Sequence, residues 1–188
     1  MTFVAIVFHS GFGHTRSMAG HVLEGARSIS GASAELFDVG DDEFDWSVVE
    51  DATAIIFGAP TYMGGLSGRF KSSIDRTGSI WSEQRWRGKL AAGFTTSSNA
   101  SGDKLQALLQ LVVLACQHGM FWVSPGVMPG DPGDADDPDN LNRLGGWVGA
   151  MAMCRHESNT TDLTPSDAAT AHALGARVAA VALDFAGV

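Results

Sequence analysis

The segment Ser10-Gly11-Phe12-Gly13-His14-Thr15 carries the residue types that point most directly to chemistry. It follows a short apolar run, Phe3 to Phe8, and opens a stretch of helical periodicity. A strand that stops at a Ser-Gly-x-Gly turn and feeds a helix aims backbone N–H groups, small hydroxyls and the positive end of a helix dipole at one point. An anion, most simply a phosphate, suits that point. The spacing has neither the Gly-Lys-Ser/Thr of a P-loop nor the three glycines of the dinucleotide fingerprint, and an ordinary strand-to-helix turn reads the same way. His14, at the helix start, offers its backbone N–H more than its imidazole, because a cation there opposes the dipole.

Two further segments have the same character. After the run Ala54 to Phe57 comes Gly58-Ala59-Pro60-Thr61-Tyr62-Met63-Gly64-Gly65, where proline stiffens the exit and glycine lets the backbone approach a flat ligand. Tyr62, the one tyrosine in the chain, offers a face for stacking. After Leu90 to Phe94 comes Thr95-Thr96-Ser97-Ser98-Asn99-Ala100-Ser101-Gly102, small, polar and dense in donors and acceptors. Ser101 could equally cap the helix that follows. Each segment alone is an ordinary turn; three at successive strand ends are harder to attribute to chance.

The elements that would position them follow from hydrophobic pattern. Five near-continuous apolar runs, Phe3 to Phe8, Ala34 to Val39, Ala54 to Phe57, Leu90 to Phe94 and Met120 to Val123, suit strands of a parallel sheet buried on both faces. Helical patterns cover about His14 to Ser30, Ser67 to Gly78, Asp103 to His118 and Ser166 to Phe185, the last introduced by Thr164-Pro165. Strands alternating with helices predict a doubly wound α/β domain over residues 1–188, with ligand at the carboxyl ends of the strands. The helix from Leu105 to Cys116 is polar only at Gln106 and Gln110, so it demands burial on nearly all sides, part of it against another subunit. Residues 124–165, with the acidic run Asp131 to Asp139, break the rhythm and read as a solvated loop or a lid over the site.

Composition narrows the function classes. A net charge of −9 with only 12 basic residues, none clustered, argues against nucleic acid. The two cysteines, Cys116 and Cys154, and the six histidines show no metal-ligand spacing, and no metal is expected. His21 and His172 fall in helical patterns as surface or structural groups, and His156 lies in a polar loop. The longest apolar run, Leu108 to Cys116, is too short to span a bilayer, and no leader pattern precedes the first strand. The expectation is a cytoplasmic protein without membrane insertion.

In order along the chain, the motifs Ser10 to Thr15, Gly58 to Gly64, Ser67-Gly68-Arg69-Phe70-Lys71, Asp75 to Trp81, Gly88-Lys89-Leu90 and His118-Gly119-Met120 resemble the flavodoxin-like superfamily. Within it they are most similar to WrbA-type NAD(P)H:quinone oxidoreductases and related NADPH-dependent FMN reductases. The resemblance implies a five-stranded parallel sheet in the order 2-1-3-4-5 with helices on both faces. It implies non-covalent FMN, NAD(P)H as co-substrate, a quinone-like acceptor, and homodimers or homotetramers with sites completed near subunit contacts. By position, Ser10, Gly11, Phe12, Gly13, His14 and Thr15 would cradle the FMN phosphate, and Pro60, Thr61, Tyr62, Met63 and Gly64 would line the isoalloxazine. Thr96, Ser97, Ser98, Asn99, Ala100 and Ser101 would hold its pyrimidine edge. Trp81 and His118 would wall the substrate site, with Gln117 the alternative to His118. The chain departs from the family pattern at Tyr62, where an arginine or other polar residue is common, and at Trp147-Val148 after the paired glycines. The alternative function is a flavodoxin-type electron carrier that does not itself oxidise NAD(P)H.

Overall fold

The computed structural model describes residues 2–40, 44–154 and 161–187; His156 lies outside them. Its elements are β1 (Thr2–Phe8), α1 (His14–Arg27), β2 (Ala32–Asp38), β3 (Ala54–Tyr62), β4 (Gly65–Leu66), α2 (Gly68–Asp75), α3 (Gly78–Ser82), β5 (Leu90–Ser97), α4 (Lys104–Gln117), β6 (Phe121–Trp122), β7 (Ala150–Met153) and α5 (Pro165–Ala186). The parallel sheet runs β2-β1-β3-β5-β6, and β4 folds back antiparallel on the end of β3. With that hairpin set aside, the order is the expected 2-1-3-4-5.

Side chains alternate across the sheet. Val4, Ile6 and Phe8 of β1 face a core shared with Met18 and Val22 of α1 and Leu174 and Val178 of α5. Ala5 and Val7 face the opposite core, with Phe70 and Ile74 of α2 and Leu108 and Leu111 of α4. Burial on both faces is why these strands read as unbroken apolar runs. On the first face α1 and α5 meet backbone to backbone. A Cβ on Gly25 would stand 1.9 Å from the His172 carbonyl oxygen, and one on Gly175 would stand 1.9 Å from that of Val22. Glycine is the residue that allows this approach.

Three expectations need correction. β3 and β5 run on past their apolar runs to Tyr62 and Ser97, through residues read as loop. Their polar ends satisfy one another: Thr61 Oγ1 and Thr95 Oγ1 lie 2.8 Å apart, and Thr95 Oγ1 donates to the Ala59 carbonyl. Pro60 is tolerated because β1 stops pairing with β3 at Gly58, where a missing N–H breaks no ladder. The fifth strand position is filled twice, by β6 beside Leu90 and Ala91 and by β7 beside Phe94 to Ser97. Residues 123–149 are therefore an insertion within one strand. Their acidic stretch is tied down, with Asn140 Oδ1 accepting from Asp131 N and the Ala135 carbonyl accepting from Ser166 N at the start of α5. Finally, Ser101 does not cap α4 through its side chain; the helix starts after Asp103 in a left-handed conformation.

No helix among the described residues is long and apolar enough to cross a membrane.

Candidate active site

Two strand-end segments and the α1 turn converge at the carboxyl edge of the sheet. Phe12, His14, Thr15, Pro60, Thr61, Tyr62, Thr96, Ser97, Ser98 and Cys154 line one cleft of about 90 Å³. Thr15 Oγ1 and Thr96 Oγ1, 81 residues apart in sequence, are 2.8 Å apart in space. The rings of Phe12 and Tyr62 meet edge to face with centroids 6.3 Å apart. Tyr62 lies across the first loop so closely that a Cβ on Gly11 would come within 2.4 Å of its hydroxyl oxygen.

The α1 turn has the features that an anion would use. Gly13 holds φ +95°, a left-handed conformation that a side chain would strain, and a Cβ there would also meet Thr161 at 2.6 Å. The helix starts with no side-chain cap and no acidic residue in its first turn. Ser10 Oγ accepts from the N–H groups of Gly13 (3.1 Å) and Arg16 (3.2 Å). Its own proton is left for a ligand oxygen. His14 Nδ1 is buried without a partner among the described residues, a polar atom such as a bound group would satisfy. Arg16 is turned to Asp38 at the end of β2. These groups fit a phosphate.

The expected site residues divide. Ser10, Gly11 and Gly13 shape the first loop, and Phe12, His14 and Thr15 line the cleft with Pro60, Thr61, Tyr62, Thr96, Ser97 and Ser98. Met63 and Gly64 form the tip of the β3–β4 hairpin, where Met63 is fully exposed. Asn99 and Ala100 turn their carbonyls to the Lys104 ammonium. Ala100 and Ser101 border a separate groove beside Pro132 and Trp147.

Trp81 and His118 lie elsewhere. Both line a cavity of about 490 Å³ between α2–α3 and α4, with Leu66, Ile74, Leu109 and Val113. The reason is topological. A crossover helix that leaves the carboxyl end of β5 must deliver the chain to the amino end of β6, so the C-terminus of α4 sits at the far edge of the sheet. Fourteen residues of helix carry it about 21 Å away. His118 is buried there against Trp86, ring centroids 4.5 Å apart, with Nε2 3.0 Å from Thr77 Oγ1. Thr77 spends its only proton on the Ile74 carbonyl, so His118 Nε2 is the donor in that pair. Burial lowers the His118 pKa, which keeps the ring neutral. Gln117 is the exposed member of the two.

Sequence reasoning missed His9, Cys154 and Lys104. His9 Nδ1 is 2.8 Å from Ser67 Oγ, which caps α2, and burial lowers its pKa. The Cys154 thiol is pushed up to about 11, chiefly by burial, and stays protonated; its N–H donates to the Ser97 carbonyl. Cys154 follows a short strand with no apolar run long enough to announce it. Lys104 had one available signal, a lysine at the first position of an otherwise largely apolar helix.

The model of the NADPH-dependent FMN reductase family matches residues 6–131. The chain belongs to that family. A crystal structure of a WrbA-like flavodoxin from Agrobacterium tumefaciens is 36% identical, covers 98% of this chain and 99% of its own, and superposes with a TM-score of 0.75. Flavodoxin FldP of Pseudomonas aeruginosa is 35% identical over 96% of this chain and 97% of its own length. The NAD(P)H dehydrogenase (quinone) of Archaeoglobus fulgidus is 32% identical over 97% of this chain and 98% of its own. As a member of the FMN reductase family, this flavodoxin-like chain is an FMN-dependent oxidoreductase that draws on NAD(P)H.

Proposed function

We propose that this chain transfers two electrons from NAD(P)H, through FMN held in the carboxyl-edge cleft, to a quinone-like acceptor in the cytoplasm. The observation that carries this reading is the convergence of the α1 turn with the ends of β3 and β5 on one cleft, joined by the Thr15–Thr96 contact. FMN, when bound, supplies the redox chemistry; the protein binds, orients and tunes. The first-turn N–H groups of α1 and the Ser10 hydroxyl would take the phosphate. Tyr62 would stack on the ring, and the Thr96 to Ser98 edge would meet its polar rim, with the rest of that loop setting its shape. Residues 95–102 contain no aromatic side chain, so one ring face stays open to a second substrate.

The same reading makes the protein a homodimer or homotetramer. Leu105, Leu109 and Val113 recur every fourth residue on α4 and are each 40–57% exposed, beside the half-exposed Trp81. A second copy covering this stripe would bury it and could bring Trp81 to the mouth of a neighbour's cleft. His118, buried and bonded within its own chain, is assigned a structural role instead.

The test is the visible spectrum of the purified protein before and after NADH or NADPH, followed by steady-state turnover with benzoquinone. Flavin bands that bleach and a quinone-dependent rate support an enzyme. The kinship with Flavodoxin FldP and the charge of −9 favour the second reading, an electron carrier. A yellow protein that bleaches only when a separate reductase is added establishes that one.

A further inference from the structure

Lys104 is completely buried, which is rare for a lysine. Its Nζ donates to the carbonyl of Asn99 at 2.5 Å and of Ala100 at 3.1 Å. Those two residues belong to the loop that begins with Ser97 and Ser98 in the cleft wall. Two successive left-handed residues, Gly102 at φ +52° and Asp103 at +55°, place Lys104 directly after this loop. Asp103 is the unusual one, since the conformation is unfavourable with a side chain present.

Behind the ammonium lies a cluster drawn from three other parts of the fold. Asp167, in the first turn of α5, is paired with Arg143 of the insertion through Nε at 2.8 Å and a second nitrogen at 2.9 Å. It also accepts from the Met153 N–H at 2.8 Å. Cys154, at the end of β7, is neutral. Among the described residues, Lys104 and Arg143 are two cations against one carboxylate, a net charge of +1 in a chain of −9. Burying such a charge is costly unless something uses it.

We propose that Lys104 is a positioning residue. Its buried ammonium holds the 98–101 loop in the shape that receives the cofactor, and its unmatched charge makes the hold on an anionic cofactor depend on its protonation. The assignment rests on the reading of the cleft as the FMN site.

The direction with pH follows. Desolvation lowers the Lys104 pKa to about 8, against the upward pull of Asp167 and with a further downward push from Arg143. An anion bound nearby favours the protonated form, so affinity for FMN is full below pH 8 and falls above it. Folding stability moves the other way. Between pH 8 and the ordinary lysine range the unfolded chain binds the extra proton, so this group makes the folded chain more stable as pH rises. Loss of FMN above pH 8 is therefore not attributable to Lys104-linked unfolding.

The experiment compares wild type with Lys104→Met, which keeps the apolar stem and removes the charge. FMN titrations by fluorescence quenching span pH 7 to 9.5, where the phosphate is already about nine-tenths ionised or more. The wild-type Kd is expected to rise about tenfold across this range, a shift of roughly one pKa unit in Lys104 on binding. Lys104→Met should bind about tenfold more weakly at pH 7 and show no such slope. Without flavin, hydrogen exchange in residues 98–102 should be about tenfold faster in the variant at pH 7, with the sheet unchanged. Equal loop exchange in the two proteins overturns the positioning role. A flat wild-type profile, or a variant with the same slope, overturns the charge role. Wild type that binds no FMN at any pH overturns the proposed function, while the exchange comparison still decides whether Lys104 holds the loop.

Discussion

Two cavities of this molecule invite opposite conclusions. The carboxyl-edge cleft is small, about 90 Å³, and lined by hydroxyls, histidine and an uncapped helix start. The groove between α2–α3 and α4 is about 490 Å³ and mixes apolar residues such as Leu66, Ile74, Leu109 and Val113 with Lys71, Asp75 and several glutamines. Volume ranks this groove above the cleft, and it is of ordinary size for a small-molecule site, although the groove beside Pro132 and Trp147 is larger still at about 830 Å³. Chemistry and topology choose the cleft. Parallel strands present their carboxyl ends, with the N-termini of the helices that follow, on that edge only. Among its polar residues the groove sets a stripe of exposed apolar side chains, Leu109 and Val113 with Trp81, the character of a surface that protein covers. Size reports how much is uncovered; the direction of the strands reports where charge can be held.

The sharpest break in this comparison is Gly13→Ala. The substitution forces a side chain into a left-handed turn and against Thr161, on the order of 1 kcal/mol of strain before any ligand is considered. FMN affinity should fall by about 100-fold as the first-turn N–H groups lose their common focus, a loss of about 2.7 kcal/mol. Retention of wild-type affinity would remove the anion-binding assignment. Next in size is Trp81→Ala, expected to lower kcat/KM for quinone about tenfold with FMN affinity unchanged. Co-expressing it with Gly13→Ala distinguishes the two regions. If Trp81 serves a neighbour's cleft, mixed dimers contain one intact site each, and activity returns to roughly a quarter of wild type. No recovery would confine Trp81 to its own chain. A smaller change is expected from Leu109→Asp, which places a charge in the exposed stripe of α4. Sedimentation should then give the mass of one chain, while the folded state persists because this position is already partly solvated.

Which parts of this were readable in the sequence follows from the same contrast. The sheet and its crossover helices announced themselves because both faces of the central strands β1, β3 and β5 are buried, and the first-loop residues because glycine, serine and threonine cluster at a strand end. The polar ends of β3 and β5 were misread as loop because Thr61 and Thr95 satisfy each other across strands, which no local pattern records. β7 was missed because it completes a strand begun 28 residues earlier, at Trp122. His118 was carried to the cleft by motif resemblance alone, although the direction of a crossover helix places it at the other edge. The role of Lys104 was harder to read than its position, because its partners are carbonyl groups, which have no residue type.

The smallest expected effect compares the two regions through their buried histidines. His9 sits at the cleft edge and His118 at the far edge, and burial lowers the pKa of each. A histidine held below its ordinary pKa leaves stability complete above about pH 6.5. As pH falls below that, the unfolded chain takes protons that the folded chain resists, and stability is lost. The two sites should not contribute alike. Asp38 pulls the His9 pKa back up, with Arg69 opposing it, whereas desolvation alone acts at His118. His118→Gln keeps a donor for Thr77 and removes the titrating group; His9→Gln removes the other titrating group and keeps a hydrogen-bonding partner for Ser67. Urea midpoints at pH 7.0 and 5.5 should show the wild-type loss on acidification reduced more by His118→Gln than by His9→Gln. The reverse order would mean that the Asp38 field fails to reach His9, and that the cleft edge, not the groove edge, is where this protein first yields to acid.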